Sequence, residues 1–275
     1  DRHMKTIADA LLADLARALA TAPPLRVKAL HLPPVPWNGS KDGEFGALEL
    51  TDGSLGLSYL LLDDSLAALA GGTQAQALAG ADALQLAQAW RDGSGAARTL
   101  GFAAVNALSR HLFDRAGFVP PAATDSIAGL DPRPGEHIGM VGFFPPLVRQ
   151  VTAHGARLTV LELRPDLAGE HGGYTVTLDP RALNDCDKVL CTSTALLNHT
   201  LDEVLANCRR ASRIALIGPG AGCLPGALFR AGVTTLGGSW ITDGPGLLQA
   251  LRQGAPWSGC ARKFTLHAAE GPGLP

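Results

Sequence analysis

No apolar run in this 275-residue chain approaches the roughly 18–20 residues that a membrane-crossing helix needs. Its beginning lacks the basic, apolar and small-residue order of a secretory leader, so a cytoplasmic location is expected. Asp1-Arg2-His3 ahead of Met4 reads as a remnant of cloning and stays outside the functional argument. A basic block is missing too: Lys and Arg number 23 against 25 Asp and Glu, a net charge of -2. Without a field that neutralises phosphates, DNA and RNA are not expected partners. Cysteine is scarce, with five residues, an odd count, and no C-x-x-C pair. That argues against a disulfide framework or a zinc knuckle and for reduced thiols. All five, Cys186, Cys191, Cys208, Cys223 and Cys260, fall in the last third of the chain, which leaves a soft-metal role open. Finally, there is no H-E-x-x-H, G-x-S-x-G or Walker loop and no pair of catalytic carboxylates, so no reaction step is assigned.

What is present describes a globular α/β protein. Hydrophobic residues make up 46% and charged ones 17%, enough to bury a core, and 33 glycines with 19 prolines imply many tight turns. Ile7, Leu11, Leu12, Leu15 and Leu19 recur at helical spacing, ended by Pro23-Pro24. Strands are expected over Leu25 to Leu32, Phe45 to Leu50 and Leu55 to Leu62, the last two joined by a Thr51-Asp52-Gly53-Ser54 hairpin. Ala-rich helices follow at Ala75 to Leu78, Asp82 to Trp90 and Ala96 to Phe113. The expected N-terminal α+β domain therefore covers residues 4–118, with a Pro/Gly/Asp-rich linker over 119–135.

From 136 to 269 the pattern changes to short apolar strands alternating with helices. Strands are expected at His137 to Val141, Arg157 to Leu163, Lys188 to Cys191, Arg213 to Ile217 and Thr234 to Leu236. Helices are expected at Pro146 to Ala153, Leu201 to Arg209, Leu224 to Ala231 and Pro245 to Arg252. This is the grammar of a Rossmann-like, doubly wound parallel sheet, whose ligands sit beyond the carboxyl ends of the strands.

Five strand-end segments carry the candidate chemistry. In Gly139-Met-Val-Gly142-Phe143-Phe144-Pro145 the G-x-G-x-x-G spacing is absent and Phe-Phe-Pro fills the pyrophosphate position, so no NAD is expected. Phe143 and Phe144 either wall a flat ligand or pack beneath the next helix. Glu162 stands where a Rossmann carboxylate meets a ribose; it is read as a ligand contact, a metal ligand or a surface partner of Arg164. In Cys191 to Thr200, Thr200 with Glu203 forms a T-x-x-E capping pattern, while Thr192, Ser193, Thr194 and Asn198 add donors suited to a carboxylate or phosphate. The alternative is a loop that only caps and turns. A Cys191/His199 nucleophilic pair lacks a visible acid. Gly218-Pro219-Gly220-Ala221-Gly222-Cys223 and Gly237-Gly238-Ser239 are small-residue loops that let backbone approach a ligand, or that simply turn the chain.

These stretches resemble the putative heavy-metal chelation family, domains of unknown function 364 and 4213. The likeness rests on Val141-Gly-Phe-Phe-Pro145, Val160-Leu-Glu162, Asp187 to Thr194 with Leu197 to Glu203, Ile217-Gly-Pro219 with Leu224-Pro225, and Gly232-Val233 with Gly237-Gly238. More loosely it includes Gly56-Leu-Ser-Tyr59 and Gly101 to Ala107. The resemblance implies an enolase-N-terminal-like α+β domain joined to the Rossmann-like domain, with a cleft between them. Ser193 departs from the family's usual glycine, and Gly220 from a common serine.

The function expected is binding of a small anionic ligand, a metal or a metal complex in that cleft. Phe143, Pro145, Glu162, Thr192, Thr194, Asn198, Thr200, Gly218, Pro219 and Gly238 are its candidate contacts. A transition metal, Ni, Co, Cu, Zn or Fe, is the expected cofactor, with Cys191 and Cys223 either soft-metal ligands or inert core. The alternative is a Rossmann-type transferase or lyase acting on a nucleotide-like or carboxylated metabolite, for instance in making a metal-chelating small molecule. A homo-oligomer, or a partner surface using Trp37, Trp240 or Trp257, is a further expectation.

Overall fold

A computed structural model describes residues 5–162 and 165–270; the expected strand end Leu163, the expected Glu162 partner Arg164 and residues 1–4 lie outside the described residues. Helix α1, Ile7–Leu19, starts on a capping box: Thr6 Oγ1 accepts from the Asp9 N–H at 3.1 Å, and the Asp9 carboxylate accepts from the Thr6 N–H at 3.3 Å. Ile7, Leu11, Leu12 and Leu15 form its buried stripe. Strands β1 (Val27–His31), β2 (Phe45–Leu50) and β3 (Leu55–Tyr59) then make the expected antiparallel meander in the order β1-β2-β3. Asp52 secures the hairpin by accepting from the Ser54 N–H and hydroxyl at 2.9 and 3.0 Å.

Strand β3 ends at Tyr59 rather than Leu62. The Leu60 N–H turns back to the Glu44 carbonyl at 2.8 Å, and Asp63 and Asp64 take positive φ. An unanticipated helix α2 (Ser65–Gly71) follows, and the helix expected over Asp82 to Trp90 is two short ones, α3 (Ala83–Ala87) and α4 (Ala89–Asp92). Helix α5 (Gly95–Arg115) is the spine of the molecule, 21 residues long and buried over most of its length. It is sandwiched, so its apolar residues face all directions rather than one stripe. Gly56 makes the sandwich tight: a Cβ there would strike the Ala103 carbonyl and the Ala107 nitrogen of α5, so glycine lets β3 lie directly on the helix.

The second half contains β4 (His137–Val141), β5 (Arg157–Leu161), β6 (Gly169–His171), β7 (Tyr174–Thr177), β8 (Lys188–Thr192), β9 (Arg213–Ile217), β10 (Thr235–Ile241) and β11 (Ala261–His267). Its helices are α6 (Pro145–Thr152), α7 (Thr194–Leu197), α8 (Leu201–Asn207), α9 (Gly226–Ala231) and α10 (Gly244–Gln253). The eight strands form one sheet in the order β11-β10-β9-β8-β4-β5-β7-β6, parallel across the inner six and antiparallel at both edges. This is the doubly wound arrangement expected. The unanticipated β6, β7 and β11 lie at the sheet's margins, where polar residues dilute the apolar signal. Gly237-Gly238, expected as a loop, is instead strand: Gly238 pairs with Phe264 across β10 and β11.

Residues 119–135 run along this sheet. The Ala123 N–H donates to the Lys263 carbonyl at 2.9 Å, and the Thr265 N–H to the Pro121 carbonyl at 3.1 Å. Ile127, Ala128 and Leu130 are buried in the core beneath the parallel strands. A larger core runs from α1 and α5 to Cys191, Leu196 and Leu224, so α5 joins the two sheets through apolar contact. Among the described residues no helix is long and apolar enough to cross a membrane.

Candidate functional site

The chain lays β5 and β7 to one side of β4 and β8, β9 and β10 to the other, so the connections leaving β4 and β8 diverge. At such a switch point the carboxyl ends leave a crevice. Here it opens into a cavity of about 1180 Å³. All ten residues expected as ligand contacts line it. Phe143 follows β4 and Pro145 opens α6, Glu162 follows β5, Thr192 ends β8, Thr194, Asn198 and Thr200 come from the segment after it, Gly218 and Pro219 follow β9, and Gly238 lies in β10.

Donors dominate the segment after β8. Thr192 Oγ1 accepts from the Thr194 N–H at 3.2 Å, leaving its own proton to donate. Asn198 Oδ1 accepts from both the N–H and the hydroxyl of Thr200, at 3.0 and 2.7 Å, so the amide NH2 is the half of Asn198 left for the cavity. The expected capping box is corrected by the same bonds. Thr200 is itself helical, φ −83° and ψ −12°, and no side chain caps α8. A cap needs extended backbone to swing its oxygen over the helix start; here the hydroxyl turns back to Asn198 instead.

The Cys191/His199 pair is also corrected. His199, at φ 65°, sends Nε2 to the Trp90 carbonyl at 2.6 Å and stacks on the Trp90 ring at 5.2 Å and 29°. Cys191 points to the other face of β8, inside the core shared with α5. Neither Cys191 nor Cys223 lines the switch-point cavity. Burial pushes the Cys223 thiol up to about 12 and that of Cys191 higher still. Among the described residues no group of three or more His, Cys, Asp or Glu is placed to hold a metal ion.

Across from the strand ends, the first half contributes Lys41, Glu44 and Tyr59 to the cavity, none of them anticipated. Burial raises the pKa of the Glu44 carboxyl, with Lys41 pulling the other way, while burial and then the Glu44 charge raise that of the Tyr59 phenol. Nothing in Lys41-Asp-Gly-Glu44 reads as a motif; the one signal was Tyr59, which closes the stretch Gly56 to Tyr59. Ser193, expected among the donors of this loop and as a departure from the family pattern, lines the cavity as well. It faces the other departure: a Cβ at Gly220 would lie 3.2 Å from Ser193 Oγ.

Two family models match the chain. Domain of unknown function 364, described as "Putative heavy-metal chelation", matches residues 125–270, and domain of unknown function 4213, with the same description, matches residues 44–109. An uncharacterized protein of Methanocaldococcus jannaschii is 30% identical over 174 residues, 62% of this chain and 66% of that protein. The chain thus spans just under two thirds of that relative's length. Two crystal structures of proteins with unknown function from the 364 family share the fold. The one from Desulfitobacterium hafniense has 21% identity and a TM-score of 0.70, covering 94% of this chain and 98% of its own. The one from Pyrococcus horikoshii has 21% identity and a TM-score of 0.69, covering 94% and 100%.

Proposed function

We propose that this chain, which belongs to the putative heavy-metal chelation family, binds a small oxygen-rich molecule that carries a metal, rather than a bare ion. The carrying observation is the lining of the switch-point cavity. Around the strand ends its donors are the hydroxyls of Thr192 and Thr194 and the amide of Asn198, groups that bind carboxylate or phosphate oxygens well and transition metals poorly, while the carboxylates of Glu44, Asp125, Glu162 and Glu203 also line it. A cavity of about 1180 Å³ suits a molecule of many atoms, since small-molecule sites run to roughly 300–1,000 Å³. The described residues do not fit a bare ion, so the metal is cargo, held by its own chelator while the protein holds the chelator's outer oxygens. Phe143 supplies an apolar wall, and Lys41 and Lys263 supply cationic side chains.

Isothermal titration tests this. Ni, Co, Cu, Zn and Fe ions are titrated into reduced protein, first as aqua ions and then as citrate complexes. Saturable binding of a citrate complex, with aqua ions bound far more weakly, is the expected result. Tight binding of an aqua ion with no response to any complex overturns the reading.

A second reading, an enzyme acting on a carboxylated or nucleotide-like metabolite, is favoured by Glu44, whose raised carboxyl pKa suits a proton carrier facing the cavity. Mass spectrometry of ligand carried through purification separates the two. A nucleotide or S-adenosyl group supports the enzyme, and a metal-bearing small molecule supports the carrier.

A further inference from the structure

Ser193 follows β8 directly and is only 5% exposed, yet it lines the cavity. Its backbone is committed, with the N–H donating to the Ile217 carbonyl at 2.7 Å. Its hydroxyl has no hydrogen-bond partner in the protein among the described residues, and because the residue lines the cavity that hydroxyl is left to whatever fills the space.

The surroundings show where that hydroxyl sits. A Cβ at Gly218 would collide with Ser193 Oγ, and one at Gly220 would come within 3.2 Å. The side chain therefore occupies a notch that exists because both positions lack side chains. Helix α5 of the first half holds the far wall of the notch in place. Asn106 Nδ2 donates to the Gly220 carbonyl at 3.1 Å and to the Leu57 carbonyl at 2.9 Å, and Ser109 Oγ accepts from the Leu224 N–H at 3.0 Å. The wall that carries Gly220 is therefore pinned to α5.

We infer that Ser193 Oγ–H donates to an anionic oxygen, of a carboxylate or a phosphate, on the molecule that occupies the switch-point cavity. The neighbouring donors agree, since the Thr192 hydroxyl and the Asn198 amide line the same edge. This inference rests on the cavity being a ligand site and adds the atom that touches the ligand's charge. It makes Ser193 a specificity-determining contact, with glycines 218 and 220 as the space that contact needs.

The test uses crystals of the full chain soaked separately in sodium bromide, sodium acetate and inorganic phosphate, with Ser193→Ala and the double variant Ser193→Gly/Gly220→Ser treated alike. An anion within hydrogen-bond distance of Ser193 Oγ is expected in the wild type. It should be lost in Ser193→Ala and regained in the double variant, which offers a hydroxyl from the opposite wall. Acetate alone at that position identifies a carboxylate site, and phosphate alone a phosphate site. Anions seated elsewhere in the cavity, with water or nothing at Ser193, overturn the inference and leave the ligand reading standing. An anion bound equally in Ser193→Ala also overturns it. No anion anywhere in the cavity overturns both. Thermal unfolding of each variant is measured alongside, so that a lost fold is not read as a lost contact.

Discussion

The two ends of the parallel strands, one strand's length apart, are built from opposite chemistry. At the amino ends the polar groups satisfy one another. Lys188 Nζ, on a side chain 7% exposed, meets Glu136 at 2.9 Å and also donates to the Asp131 carbonyl. The Asp187 carboxylate accepts from the His137 N–H at 2.8 Å and meets Arg210 at 3.1 Å. At the carboxyl ends of β4, β8 and β9 stand Gly142, Thr192, Ser193 and Gly218, uncharged and facing a cavity. Polar groups paired among themselves hold a fold together, whereas the Ser193 hydroxyl and the amide NH2 of Asn198, which face the cavity, are suited to hold something else.

The largest effect that would break this comparison is on stability. Lys188→Met takes a cationic donor from both the Glu136 carboxylate and the Asp131 carbonyl and should cost about 3 kcal/mol, the upper range for hydrogen bonds to charged groups. Thr192→Val at the opposite end should cost about 1 kcal/mol or less, the worth of one hydrogen bond. Urea unfolding of both variants decides it, and equal losses would erase the distinction.

Next comes the crowding at the open end. Gly218→Ala puts a Cβ onto Ser193 Oγ at φ 140° and should destabilise by about 1–3 kcal/mol, the range for overpacking. Ser193→Gly in the same chain should recover part of that. A double-mutant cycle with no coupling would show that the two residues do not share the notch.

A smaller effect separates the regions by pH. At the amino end, burial first and Arg157 second hold the His137 imidazole below its usual value of 6.5. The unfolded chain then takes up that proton before the folded one does. Stability from His137 is therefore complete above about 6.5 and declines as pH falls from there toward the folded value. His137→Gln should flatten that decline in melting temperature. Glu44, on the cavity's far wall, has the opposite sign: its raised pKa favours the fold below 4.5, and the contribution is lost as pH rises through the folded value. Glu44→Gln should thus leave melting at neutral pH unchanged or slightly higher. The smallest effect concerns the thiols. Cys191→Ala and Cys223→Ala should bind the citrate complexes as the wild type does, because neither sulfur reaches the cavity. A changed metal preference in either would return the cysteines to the site.

Much of the site was legible because strand-end loops in a doubly wound sheet converge wherever the helices place them, so Glu162, Thr192, Asn198 and Gly218 could be gathered from spacing alone. The opposite wall was not. Lys41, Glu44 and Tyr59 reach the cavity because α5 carries the meander across to it, a tertiary fact with no local pattern. Glycine misled at Gly237-Gly238, since two adjacent glycines signal a turn, but here pairing with β11 keeps them in strand. The T-x-x-E pattern misled at Thr200 because its hydroxyl is taken by Asn198 and its backbone is already helical after the left-handed His199. The placement of Cys191 had no local signal, since only the alternation of β8 turns Cys191 toward the core and Thr192 toward the cavity.

The central claim is that the carboxyl ends of the strands form a ligand site while the amino ends only hold the fold. Electron density from crystals of protein purified without chelator tests this most directly. A bound molecule is expected at the switch point, touching Thr192, Ser193 or Asn198 on one side and facing Glu44 and Tyr59 on the other. A cavity filled by ordered water alone, or a ligand seated at the amino ends beside Lys188 and Asp187, would contradict it.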